Sequence, residues 1–216
     1  MIKFVKTSLR FTKEYYALCD IDLSVQAGEK VALVGELESG KTSLLRVLAG
    51  LEKSYTGEVF VDDRELKSLD YKYDLQVGYL PFNAIFFNKK TVCENMMYAI
   101  NLRNKDISEM EKNEKISEAL EKVGMVYLKD IRIYMLSFYE KLMVSFARLL
   151  LRNIDYLLVD NVLGELNDEQ KTQFKSVLKN YFNDANITCI IASESLSYVE
   201  DMGLRIVNMK AGCIQN

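Results

Sequence analysis

One short stretch constrains this chain more than any other: Gly35-Glu36-Leu37-Glu38-Ser39-Gly40-Lys41-Thr42, which fits G-x-x-x-x-G-K-[ST]. The pattern gains meaning from its flanks. Lys30-Val31-Ala32-Leu33-Val34 precedes it and suits a buried parallel strand. Residues 42–49 follow at helical spacing, with Leu44, Leu45, Val47 and Leu48 apolar and Gly50 placed to cap the C-terminus. Glycines between a strand and a helix let successive backbone N–H groups curl inward beneath a positive helix end, which makes a concave anion site. In such a cradle, made here of Gly35 to Ser43, Lys41 reaches the β- and γ-phosphates of a nucleotide and the Thr42 hydroxyl ligates Mg²⁺. Glu36 and Glu38 are the awkward members. Carboxylates near phosphates repel them in a partly desolvated site, so binding weaker than that of a neutral loop is expected unless both side chains turn to water.

The rest of the chain alternates strands with helices. Ile21 to Val25 alternate with period two, and residues 26–29 read as a turn. Residues 57–63 read as a strand and turn, 77–80 as a short strand, and residues 94–152 mainly as helix. Within that helical stretch Ile107, Met110, Ile116, Ala119, Leu120 and Val123 fall close to one face. Residues 156–160 are an apolar strand ending in Asp160. A helix is expected over 169–182, a buried strand over 187–192, and a strand and turn over 204–212. This order indicates an α/β fold with a largely parallel sheet. With a single proline, Pro81, and no Gly/Ser-rich linker or repeat, 216 residues suit one domain with a small subdomain.

Absences narrow the chemistry. The chain has no histidine, which removes imidazole metal sites and Ser-His or Cys-His catalysis. Cys19, Cys93, Cys189 and Cys213 are far apart and make no C-x-x-C pair, so reduced thiols are expected rather than zinc or a disulfide framework. A balance of 28 basic and 31 acidic residues, net −3, disfavours general nucleic-acid binding. No apolar run exceeds five residues, so no transmembrane helix and no secretory leader are expected.

The order of segments resembles the ATP-binding-cassette (ABC) ATPases along nearly the whole chain. Residues 16–29 look like the strand pair leading to that family's phosphate loop, and Val77-Gly78-Tyr79-Leu80-Pro81 like the approach to its Q-loop. Thr91-Val92-Cys93-Glu94-Asn95 is similar to the T-V-x-E-N that opens the helical subdomain. Leu136-Ser137-Phe138-Tyr139-Glu140-Lys141 stands at the signature L-S-G-G-Q/E-K, followed by Phe146-Ala147-Arg148-Leu149-Leu150. Tyr156 to Asp160 looks like Walker B, and Gly164-Glu165-Leu166-Asn167 takes the D-loop's place. The resemblance implies a P-loop NTPase (RecA-like), mostly parallel sheet, with an N-terminal antiparallel β subdomain and an inserted α-helical subdomain at about residues 92–152 of a single 1–216 domain. It implies ATP and Mg²⁺ as ligands, with Thr42 and Asp160 holding the metal, the latter through water. Phe11 best fits the place of an adenine-stacking aromatic, with Tyr15 and Tyr16 as alternatives. Ser137 would act on ATP held by the partner of a homo- or heterodimer. A transmembrane permease would anchor this cytoplasmic chain at the inner face of the membrane.

The departures weigh as much as the matches. Asn161 stands where the family has a water-polarising glutamate, and a neutral amide is a poor proton acceptor. Phe82 takes the place of the Q-loop glutamine. Ser193 or Glu194 takes that of the switch histidine. Phe138 and Tyr139 replace the signature glycines, where two rings would obstruct a partner's nucleotide. Slow or lost hydrolysis is therefore expected, with Lys41, Thr42 and Asp160 still able to bind Mg-ATP. Residues 82–87, with Ile85, Phe86 and Phe87, could form a partner groove or pack internally. The alternative function is a pseudo-ATPase in a structural or regulatory role. A small-molecule kinase is disfavoured by the family-like segments after Gly78 and the length of chain before Gly35. A DNA- or ribosome-associated cassette is disfavoured by the net charge.

Overall fold

The computed structural model describes residues 1–12, 16–70, 76–102, 107–184 and 186–215. They form two compact units: residues 1–81, 154–165 and 181–216, and residues 82–153 with 166–180.

The first unit holds two sheets. Strands β1 (Ile2–Arg10), β2 (Tyr16–Val25), β4 (Tyr55–Val61) and β5 (Arg64–Glu65) pair antiparallel in the order β2-β1-β4-β5. Alternation along β2 buries Ala17, Ile21, Leu23 and Val25 while Asp22 and Ser24 face outward, as one-sided sheets require. The second sheet has the order β10-β9-β3-β8-β7-β6. Its members are β3 (Lys30–Val34), β6 (Val77–Leu80), β7 (Tyr156–Asp160), β8 (Thr188–Ser193), β9 (Arg205–Lys210) and β10 (Cys213–Gln215). All pairings are parallel except the last hairpin, β9 with β10. β3 lies between β8 and β9, which explains why its sequence is apolar rather than alternating. Phe4, Leu9, Leu18 and Ile21 join Leu33, Leu44, Leu48 and Ile190 in one core cluster, so helix α1 (Lys41–Leu48) is fixed by its apolar face.

The second unit is helical: α2 (Val92–Asn101), α3 (Glu109–Lys122), α4 (Phe138–Leu150) and most of α5 (Asp168–Asp184). Two capping boxes start its helices, Thr91 with Glu94 and Ser137 with Glu140. Phe146 packs edge-on against Phe174, ring centroids 6.3 Å apart, in its core.

The α/β class and the main strands are found where the sequence placed them. Three differences have simple causes. β1 buries Ile2 and Phe4 and then Thr7 and Leu9, an alternation broken by a register shift between Phe4 and Thr7. β10 is a three-residue strand after the 211–212 turn, too short to read in advance. Ile107 precedes α3, which starts after its cap at Ser108, and Met110 is 73% exposed because at about 100° per residue it lies well off the buried stripe of Ile116, Ala119 and Leu120.

Candidate nucleotide-binding site

Parallel strands align their C-terminal ends, and ligands of open α/β sheets bind outside those ends. The register is explicit here: Val34 pairs with Ser193, and Asp160 with Ala192. The loop after β3, the turn after β7 and the turn after β8 therefore share one edge, with β8 in the middle.

The loop at 35–42 closes tightly on itself. Gly35 N–H donates to the Ser193 carbonyl at 3.1 Å. A Cβ on Gly35 would stand 2.2 Å from the Met209 carbonyl, and one on Gly40 would stand 2.5 Å from that of Ala17, so side chains are excluded at both. Gly40 has φ 99° and starts α1 without any side-chain cap, leaving the helix entrance to backbone donors. Lys41 is buried, and its ammonium donates to the Gly35 carbonyl at 2.6 Å, the Glu36 carbonyl at 2.8 Å and Ser39 Oγ at 2.8 Å. Burial lowers the Lys41 pKa, opposed by the carboxylates of Glu194 and Asp160. Glu36, Leu37 and Glu38 are exposed, so both acidic side chains turn to water. Glu38 nonetheless lines the 110 Å³ pocket shared with Ser39, Gly40, Thr42, Ser43 and Asn161.

Thr42 Oγ1 donates to Asp160 Oδ1 at 2.8 Å, and the Tyr79 hydroxyl donates to Asp160 Oδ2 at 2.6 Å. Burial, then the bond to Asp160, raises the Tyr79 pKa well above the usual phenol range. Tyr79 was not singled out from the sequence. Its role depends on register: Tyr79 pairs with Leu158, which puts it on the face that Asp160 shares two residues later.

The donor set suits a hard cation. Thr42 uses its proton on Asp160 and keeps lone pairs for a metal, and both groups are oxygen donors. No cluster of three or more His, Cys, Asp or Glu is found among the described residues. Mg²⁺ takes only one or two protein ligands beside phosphates and water.

Between the two candidates for the position after β8, geometry separates the roles. Ser193 is buried and donates to the Ser195 carbonyl at 2.8 Å. Glu194 accepts a hydrogen bond at 2.5 Å from Asn161 Nδ2, and Asn161 itself has φ 55°.

Phe11 is 55% exposed just beyond β1. Tyr16 carries the Arg10 guanidinium 4.4 Å above its ring and adjoins Ala17, whose carbonyl faces Gly40. Tyr15 lies outside the described residues. In the helical unit Ser137 caps α4, accepting from Glu140 N–H at 3.3 Å and donating to Glu140 Oε2 at 2.8 Å. Tyr139 is buried and turned inward, in contrast to the expectation of two obstructing rings. Only Phe138 remains half-exposed, and it packs on Phe82 with centroids 5.4 Å apart.

A parallel sheet with a glycine-bounded phosphate loop after β3 and an acid ending β7, two strands away, defines a P-loop nucleotide-binding fold. The ABC transporter family model matches residues 18–164, and the chain belongs to that family. It is 30% identical over 203 residues to the sulfate/thiosulfate import ATP-binding protein CysA of Bacillus cereus, covering 93% of this chain and 57% of that one. It is 28% identical over 201 residues to the methionine import ATP-binding protein MetN 2 of the same species, covering 91% and 59%. The chain thus spans less than two thirds of the length of these relatives. A bacterial ABC transporter cassette solved as a dimer superposes with TM-score 0.88 at 24% identity, covering 100% of this chain and 97% of that one. The cbiO1 cassette of Clostridium perfringens superposes with TM-score 0.85 at 22% identity, covering 100% and 86%. At these identities the superpositions establish the fold.

Proposed function

We propose that this chain is an ATP-binding subunit of an ABC transporter-like complex, a single cassette domain with its helical subdomain at about residues 92–152, and that it hydrolyses ATP slowly. The observation that carries the reading is the Lys41, Thr42 and Asp160 constellation at one sheet edge. Lys41 would exchange its loop acceptors for phosphate oxygens, and the loop's N–H groups would hold the β-phosphate. Thr42 and Asp160 would hold Mg²⁺, which neutralises charge between the β- and γ-phosphates. Phe11, or a neighbouring aromatic, would stack on adenine, and Ser137 would face the nucleotide of a second cassette. The first relatives are named as import ATP-binding proteins, which supports a permease partner and a place at the inner face of a membrane. Among the described residues no helix is long and apolar enough to cross a membrane, so such a place would come through that partner.

The helical unit offers a surface for it. Ile85 is 86% exposed and Phe87 54%, beside Tyr98 and Leu102. Arg148 braces the segment, donating to the Ile85 carbonyl at 2.9 Å with its guanidinium 4.5 Å from the Phe86 ring.

Titration of the chain with Mg-ATP by calorimetry tests the nucleotide reading. Saturable micromolar binding is expected, and Lys41→Ala is expected to weaken it at least about 100-fold, some 2.7 kcal/mol. Unchanged binding in Lys41→Ala overturns the assignment.

A further inference from the structure

We propose that Glu194, and not the residue at 161, supplies the carboxylate that activates the hydrolytic water, with Asn161 as the positioning residue that holds it. The inference rests on the nucleotide-binding reading above and adds the identity of the base.

Strand order makes the placement unavoidable. β8 lies between β3 and β7, so the chain leaving β8 at Glu194 emerges between the phosphate loop and the Asp160 turn. Asn161 donates its amide N–H to Glu194 Oε1 at 2.5 Å. An amide is a poor proton acceptor but a good donor, so residue 161 does what its chemistry permits: it fixes a carboxylate. Among the described residues Glu194 Oε2 has no hydrogen-bond partner, and the side chain is half-buried rather than dispersed in solvent. Gly164 leaves room beside it, since a Cβ there would stand 3.9 Å from Oε2.

Other carboxylates at this edge are less suited. Both oxygens of Asp160 already accept, from Thr42 and Tyr79. Glu36 and Glu38 are exposed on the loop. In the step assigned to Glu194, a water oxygen bonds to the γ-phosphorus as the bond to the β,γ-bridging oxygen breaks. The water's proton passes to Glu194 and from there to the departing phosphate, leaving ADP and inorganic phosphate.

The test uses the full chain and two readouts: affinity for Mg-ATP and for Mg-ADP by calorimetry, and single-turnover cleavage of γ-labelled ATP. E194Q removes a negative charge beside the γ-phosphate. It is expected to raise the ATP-to-ADP affinity ratio about three- to tenfold while slowing cleavage at least about 100-fold. E194D keeps the charge and shortens its reach, so it is expected to retain the wild-type ratio and to cleave at least about tenfold more slowly. N161A is expected to slow cleavage with the ratio unchanged. Wild-type cleavage rates in E194Q, or an unchanged ratio, overturn the proposal. Mg-ATP binding without any cleavage by the wild-type chain also overturns it and leaves the nucleotide-binding reading standing. Absence of Mg-ATP binding overturns both.

Discussion

Asp160 is held by two neutral hydroxyls, Thr42 on one oxygen and Tyr79 on the other. Hydrogen bonds to an ionised group contribute about 1.5–3 kcal/mol. Tyr79→Phe keeps the ring and removes one of them, so a loss of about that size in urea unfolding is expected. The loss should shrink when saturating Mg-ATP supplies Asp160 with other partners. Glu38 presents a different case: it has φ 63°, is exposed, and lines the loop's pocket. Glu38→Gly relieves a left-handed backbone cost of about 1–2 kcal/mol, offset by roughly 0.5–1 kcal/mol of glycine entropy. Stability should therefore change little. Mg-ATP affinity should rise about three- to tenfold at low salt and less at about 0.5 M salt, because an exposed charge is screened. Calorimetry at both salt concentrations checks this. Lys41 and Thr42 could be picked out as candidates because a linear spacing defines them, and Asp160 because it ends an apolar strand; the fold brings Thr42 and Asp160 within hydrogen-bond distance. Tyr79 could not, because only strand register brings it to Asp160.

At the scale of elements, the turn into α2 is tied by one side chain. Asn95 is 2% exposed; its Oδ1 accepts from Phe87 N–H at 2.8 Å, and its Nδ2 donates to the carbonyls of Phe87 and Thr91 at 3.2 and 2.9 Å. The resemblance at residues 91–95 thus has a local physical basis: Thr91 and Glu94 cap the helix, and Asn95 pins the loop that presents Ile85 and Phe87. Asn95→Ala orphans backbone groups near Phe87 and is expected to cost about 2–4 kcal/mol in urea unfolding. A second tie joins β9 to the chain just before β3 and to β2. Arg205 donates through Nε to Glu29 and through Nη2 to the Ser24 carbonyl at 2.7 Å. The Arg205 bond keeps the Glu29 carboxyl below its usual range. A depressed carboxyl stabilises the fold above its unfolded pKa of about 4.3 and loses that contribution as pH falls through the folded value. Because the pair is largely solvated and screened, Glu29→Gln should cost only about 0–1 kcal/mol near neutral pH. The gap from wild type should close as acid titrates the group, which unfolding curves at a series of pH values would reveal. Helix α3 marks a limit of sequence reading. Its buried stripe of Ile116, Ala119 and Leu120 was visible in the sequence, but Ile107 precedes its Ser108 cap and Met110 lies off the stripe.

Across the whole molecule, several residues that stand where the resemblance expects other motif residues lie against one another, Glu194 being one of two candidates after β8. Phe82 packs on Phe138 within the helical unit, and Asn161 bonds Glu194 within the other. Read along the chain, each is a separate loss; Asn161 and Glu194 are 33 residues apart, and only strand order makes them neighbours. This is why the fold was legible while the arrangement of the site's carboxylates was not. It also decides what a restoring mutation can do. Asn161→Glu would place a second carboxylate against Glu194, lose the amide donor that holds it, and set a β-substituted residue other than Asn or Gly at φ 55°. The backbone cost is about 1–2 kcal/mol, and the paired carboxylates push one another toward protonation. Steady-state hydrolysis by Asn161→Glu is therefore expected to stay at or below the wild-type rate, measured as phosphate release at saturating Mg-ATP. A rise to the rate of a cassette with intact motifs would show that residue 161 alone limits the chemistry, and that Glu194 is not the group that takes its place.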